Sequence, residues 1–260
     1  MKKTDIDVLL HNRTTWDRAV QNGNRWTIPV SSDVVENARK GIWNVLLTPT
    51  IPVPREWFPE INDLKVLCLA SGGGQQGPVL AAAGALVTVF DNSPAQLAQD
   101  AFVAERDSLS ITTVQGDMAD LSCFDNESFD LVFHPVSNAF VPDVLPVWSE
   151  AWRVLKKGGR LLAGFTNPYI YIFDMEKEEQ GILEIRNRLP YSSSEALTGE
   201  ERRQMLEKGF ALEFSHSLDT QIGGQIKAGF VISGFFEDND KDMACGKYMP
   251  TFIATKADKL

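Results

Sequence analysis

The chain has 260 residues, 43% hydrophobic and 23% charged, with a net charge of −10. This is globular composition with enough length for a real core, and the acidic balance argues against a nucleic-acid partner, which needs clustered Lys and Arg. No apolar run approaches the ~20 residues of a membrane span, Met1-Lys2-Lys3-Thr4-Asp5 lacks a secretory apolar stretch, and Cys68, Cys123 and Cys245 have neither disulfide-frame nor zinc spacing.

A cytoplasmic, reducing-compartment protein is therefore expected. Residues 1–60 read as a segment of their own, rich in Trp (Trp16, Trp26, Trp43, Trp57) and Pro (Pro49, Pro52, Pro54, Pro59). Ser31-Ser32-Asp33 followed by Val34, Val35, Ala38, Ile42, Val45 and Leu46 predicts a capped helix. The prolines after it forbid another, because each removes a donor and extends its predecessor.

From Leu64 short apolar runs alternate with amphipathic stretches. Strands are predicted at 66–70, 86–90, 111–114, 129–133 and 161–165. A helix is predicted at 76–84, and Ser93-Pro94 begins another. Val141, Val144, Leu145, Trp148, Ala151, Trp152 and Leu155 predict a further helix, ending at Lys156-Lys157-Gly158-Gly159 with cations for the dipole and glycine for the stop. Such alternation implies an α/β fold, a parallel sheet with helices on both faces. In this 61–260 domain the polar stretch 167–203 reads as an insertion, followed by a helix near 218–228 and strands at 231–236 and 251–255.

The densest local signal is Ala70-Ser71-Gly72-Gly73-Gly74-Gln75-Gln76-Gly77, between a strand and a helix. Glycine there lets the backbone approach a ligand, and Asp91, closing the next strand, can offer its carboxylate to ribose hydroxyls. The spacing Gly72-x-Gly74-x-x-Gly77 also fits a dinucleotide fingerprint, so an NAD(P)-dependent oxidoreductase is an alternative. That alternative requires a second catalytic domain, for which the chain leaves no room.

Later motifs bear on the choice. Gln115-Gly116-Asp117-Met118 follows the third strand, then Ser128-Phe129-Asp130-Leu131-Val132-Phe133, then Arg153-Val154-Leu155-Lys156-Lys157-Gly158-Gly159-Arg160-Leu161-Leu162. In this order the chain resembles the class I S-adenosylmethionine-dependent methyltransferases of the small-molecule type, over roughly residues 64–165 and more loosely beyond. The resemblance implies a Rossmann-like, mostly parallel seven-stranded sheet with an antiparallel last strand, and residues 1–60 as a helical lid on the substrate side. It implies S-adenosyl-L-methionine as cofactor, no metal, and in-line methyl transfer to a small molecule, with neither nucleic acid nor membrane as partner. Ala70 and Ser71 would touch the cofactor, and Gly72 and Gly74 would line its amino-acid half. Asp91 would hold the ribose, with Asn92 and Gln96 nearby. Asp117 would bind the adenine amino group and Met118 would pack on its ring. His134 would lie near the methionine portion and is the candidate base, while an N-terminal tryptophan face can meet the sulfonium cation. Cys68 stands where the family usually has an acid, Ala70 where it has glycine, and Pro135 where it often turns differently. Those departures bear on affinity. A cofactor-binding protein without catalysis shares the same motifs.

Overall fold

In the strand β1 (Lys65–Leu69), Val66 and Cys68 belong to one hydrophobic cluster and Leu67 and Leu69 to another, and all four are fully buried. Successive side chains of a strand point to opposite faces, so this strand must be covered on both. The computed structural model describes residues 6–260; the reading of residues 1–5 as no secretory signal lies outside them. The other strands are β2 (Leu86–Asp91), β3 (Ile111–Gln115), β4 (Phe129–His134), β5 (Leu155–Thr166), β6 (Val231–Asp238) and β7 (Phe252–Asp258). They form one seven-stranded sheet in the order β3-β2-β1-β4-β5-β7-β6. The first five are parallel, and β7 runs antiparallel to both its neighbours. The expected mostly parallel sheet with a reversed last strand is thus what the chain forms.

The helices are α1 (Val8–Gln21), α2 (Ser32–Arg39), α3 (Gln76–Ala82), α4 (Pro94–Arg106), α5 (Leu145–Val154), α6 (Met175–Glu179), α7 (Ser193–Ala196), α8 (Gly199–Lys208) and α9 (Gly224–Ala228). On one face of the sheet Val66, Cys68, Val89, Leu131 and Phe133 pack with Val79 and Leu80 of α3 and with Trp43, Val45, Leu47, Trp57 and Phe58. On the other, Leu67, Leu69, Val132 and Leu161 meet Val147, Trp148 and Ala151 of α5. Trp148 is fully buried, and truncating such a side chain to Ala costs about 3–5 kcal/mol. Two of the four N-terminal tryptophans, Trp43 and Trp57, are therefore core residues.

Two local expectations are corrected. The helix expected through Leu46 stops at Arg39; Gly41 turns the chain at φ +83°, and Val45 and Leu47 reach the core from a non-helical segment. The helix expected from Val141 starts at Leu145 and ends at Val154, since Leu155 is already extended and begins β5. Lys156 and Lys157 are thus strand residues. Besides Arg153 in its last turn, the end of α5 meets Lys259, whose buried Nζ donates to Trp152 O (2.9 Å) and Leu155 O (2.6 Å). The stretch after β5 carries α6, α7 and α8, with Ser192 bridged to Phe214.

Strand order reverses around β1, which has β2 on one side and β4 on the other. In parallel α/β sheets that reversal opens a crevice at the carboxyl ends of the strands.

Candidate active site

A cavity of about 590 Å³ opens at that crevice. Its floor begins at Ala70, where β1 ends in the left-handed region at φ +47°, a conformation that favours glycine and strains alanine by roughly 1–2 kcal/mol. The family's usual glycine at this position thus has a backbone reason, and this chain keeps the turn without it. The Ala70 amide donates to Phe90 O (2.7 Å), tying the turn to β2. Gly72 N–H then donates to Asp91 Oδ2 (3.0 Å), and Ser93 N–H to Asp91 Oδ1 (2.9 Å). A Cβ on Gly72 would stand 2.7 Å from Gln96 Cβ and 3.1 Å from the Asp91 carboxylate, so only glycine fits beneath that acid. Burial raises the Asp91 pKa, and the amides of Ser93 and Gly72 oppose the rise.

Gly73 and Gly74 turn away from the cavity. Their amides donate to Asp100 Oδ2 on α4 (3.0 and 3.1 Å). Asp100 is fully buried, with its pKa pushed up to about 8 by burial, aided by nearby Asp91 and opposed by the two amides. Cys68 lies near it, and burial with the Asp100 charge pushes its thiol far up, leaving it inert.

Of the residues expected at the cofactor, the cavity brings together Ala70, Ser71, Gly72, Asp91, Asn92, Gln96, Asp117 and Met118. It leaves out Gly74 and His134. A Cβ on Gly74 would meet Gln99 O at 2.9 Å, so this glycine serves packing on α4. The candidate base His134 is not among the residues that line the cavity. It is fully buried in the sheet, its Nδ1–H donates to Leu69 O (2.9 Å), and its ring packs edge-on to Trp148 (5.8 Å). Burial lowers its pKa to about 4, so the ring is neutral; it does not itself line the cavity, although Pro135 and Ser137 next to it do.

Arg13 and Asp17 of α1, which carried no local signal, help to build the cavity's rim. Asn92 accepts from Arg13 Nε (3.0 Å) and donates to Leu9 O (2.8 Å), and Asp17 accepts from Ser93 Oγ (2.6 Å) and Ala95 N–H (3.1 Å). Helix α1 is thereby fastened beside the end of β2, with an acid on the amino end of α4. Gln75 donates to Arg25 O and Ile28 O, and Gln76 accepts from Leu46 N–H (3.0 Å). Trp16 and Trp26 line the cavity.

The residues suit an adenosine-bearing cofactor. Gly72 brings backbone without a side chain to the cavity wall, the Asp91 carboxylate lies against it, and Ser71 and Gln96 line the cavity beside them.

A parallel sheet with a reversed β7, a bare turn after β1 and a carboxylate closing β2 define a class I S-adenosylmethionine-dependent methyltransferase. Residues 67–163 match the family model described as "Methyltransferase domain". The Bacillus subtilis (strain 168) protein described as "Uncharacterized methyltransferase YbaJ" is 53% identical over 253 residues, covering 97% of this chain and 99% of that one. The chain belongs to that methyltransferase family. Sterol 24-C-methyltransferase erg-4 of Neurospora crassa is 35% identical over 101 residues, 38% of this chain and 26% of that protein. Among solved structures, an S-adenosylmethionine-dependent methyltransferase from Mesorhizobium loti superposes with a TM-score of 0.61 at 21% identity, over 78% of this chain and 94% of that one, a likeness of fold. The oxidoreductase alternative falls with the family assignment. Gly77 packs α3 closely on β2, a Cβ there standing 2.7 Å from Val89 Cγ2, and does not separate the two readings.

Proposed function

We propose that this methyltransferase acts in the cytoplasm on a small-molecule acceptor, with Ala70, Ser71, Gly72, Asp91, Asn92, Gln96, Asp117 and Met118 holding S-adenosylmethionine. The observation that carries this reading is the Gly72–Asp91 cradle on the cavity wall. When bound, the cofactor supplies a methyl carbon already activated by the sulfonium charge. Asp91 accepts hydrogen bonds from hydroxyl groups while the Gly72 and Ser93 amides keep its carboxylate in place. Met118 offers an apolar surface to a ring, and Asp117, whose Oδ1 holds the Ala119 amide at 2.9 Å, faces the same cavity. Residues 1–60 contribute the lid: α1 with Trp16, and Trp26 beyond it, wall the cavity and exclude water. Orientation of the acceptor in line with the methyl–sulfur bond, together with water exclusion, supplies the acceleration. With His134 in the core, no histidine lines the cavity among the described residues.

A calorimetric titration tests the reading. S-adenosylhomocysteine is expected to bind and NAD to give no heat. Transfer of labelled methyl groups into an extract of small metabolites then separates an enzyme from a binding protein; label entering only protein or RNA would overturn the small-molecule reading.

A further inference from the structure

Beyond the cradle the cavity runs beneath α1 toward the inserted region, and its chemistry changes. Glu213 stands on this wall, and the Tyr171 hydroxyl donates to its Oε2 (2.9 Å). Tyr171 is 3% exposed and stacks on Tyr191 at 5.3 Å. Among the described residues no Lys, Arg or His pairs with Glu213. Burial raises its pKa, and the Tyr171 hydrogen bond offsets part of the rise. An enclosed carboxylate without a counter-cation is unfavourable, and a ligand that brings the opposite charge removes the penalty.

The rest of the wall has the same sign. Glu178, Glu179, Asp240 and Asp242 line the cavity, and Arg25, the one cation there among the described residues, is taken by Asp240 (2.6 Å) and Asp242 (3.1 Å). Trp16 and Phe140, packed edge to face at 5.2 Å, give the wall an aromatic surface of the kind that attracts cations.

We propose that the methyl acceptor is a small molecule carrying a cationic nitrogen on an apolar body, seated with the nitrogen against Glu213 and the body against the aromatic wall. This rests on the methyltransferase reading, and its test is arranged so that the two fail separately. The protein is first saturated with S-adenosylhomocysteine, whose own titration reports on the cradle. It is then titrated with 2-phenylethylamine, 2-phenylethanol and phenylacetate, which share one body and differ in charge. The amine is expected to bind at least tenfold more tightly than the alcohol, and the acid not at all. Glu213→Gln is expected to bring the amine down to the alcohol's affinity while S-adenosylhomocysteine binding stays the same. Tyr171→Phe keeps the carboxylate and is expected to keep the preference. The proposal is overturned if the alcohol or acid matches the amine, if none of the three binds to the saturated protein, or if the preference survives Glu213→Gln. It is also overturned if Glu213→Gln weakens S-adenosylhomocysteine, which would place Glu213 at the cofactor's own ammonium group. Thermal melting of both variants confirms that each is folded.

Discussion

Asp91 holds the Gly72 and Ser93 amides and also lines the cavity, so it organises the cradle as well as lining it. Asp91→Ala is expected to weaken S-adenosylhomocysteine by about 1.5–3 kcal/mol for each charge-assisted hydrogen bond lost, roughly tenfold or more, with Asp91→Asn intermediate. Calorimetry checks this, and unchanged affinity in the Ala variant would remove the ribose assignment. Asp100 is the hidden counterpart, an acid in the core whose Oδ2 receives Gly73 and Gly74 while its Oδ1 has no partner. Its folded pKa, about 8, lies above its unfolded value near ~4, so the folded state retains a proton that the unfolded chain releases. The stability it contributes is full below about pH 4 and is lost as pH rises toward about 8, with a slope of at most ~1.4 kcal/mol per pH unit. Asn mimics the protonated acid. Asp100→Asn is therefore expected to flatten the decline in denaturant stability between pH 5 and 8. A variant with the wild-type slope would show that Asp100 titrates normally.

At the scale of elements, α1 is the piece on which closure of the cavity depends. Its Asn12, 3% exposed, donates to Phe140 O and Leu212 O (3.0 Å each) and accepts from Leu212 N–H (2.7 Å). One side chain therefore pins the helix both to the loop after β4 and to the far side of the inserted region. Asn12→Ala leaves these backbone groups without that partner, at about 1–3 kcal/mol for each one that stays buried. The loss is expected to appear first as local opening: faster hydrogen exchange at the Leu212 amide and in α1, with the amides of β1 and β4 still protected. Uniform acceleration across the sheet would mean that α1 unfolds only with the whole domain. The same contact shows why some helix ends escaped sequence reading. Ser93-Pro94 announced α4 because cap and proline are adjacent in the chain, whereas Lys259 reaches α5 from the opposite end of the chain.

For the molecule as a whole, what could be read in advance was whatever is encoded locally. The buried run of β1, the three glycines after it and the acid closing β2 are each visible within a few residues, and together they give the sheet and half the cavity. The other half comes from pairings 30 to 200 positions apart, such as Gln76 with Leu46 and Asn12 with Leu212, which leave no period or motif behind. The direction of His134 was illegible for a related reason: its position at a strand's carboxyl end is local, but its inward direction is set by Leu69 O and Trp148. Because both halves meet only in the folded chain, ligand binding and global stability are linked. A ligand that binds the native state alone adds RT ln(1 + [L]/Kd), about 2.7 kcal/mol at a hundred times Kd. For a chain of this length that corresponds to a rise in melting temperature of roughly 5–10 °C. S-adenosylhomocysteine is expected to produce such a rise and NAD none, with the rise shrinking in Asp91→Ala at the same concentration. Calorimetric melting decides it, because an equal shift from NAD, or a shift indifferent to Asp91, would place the stabilising ligand outside the cradle.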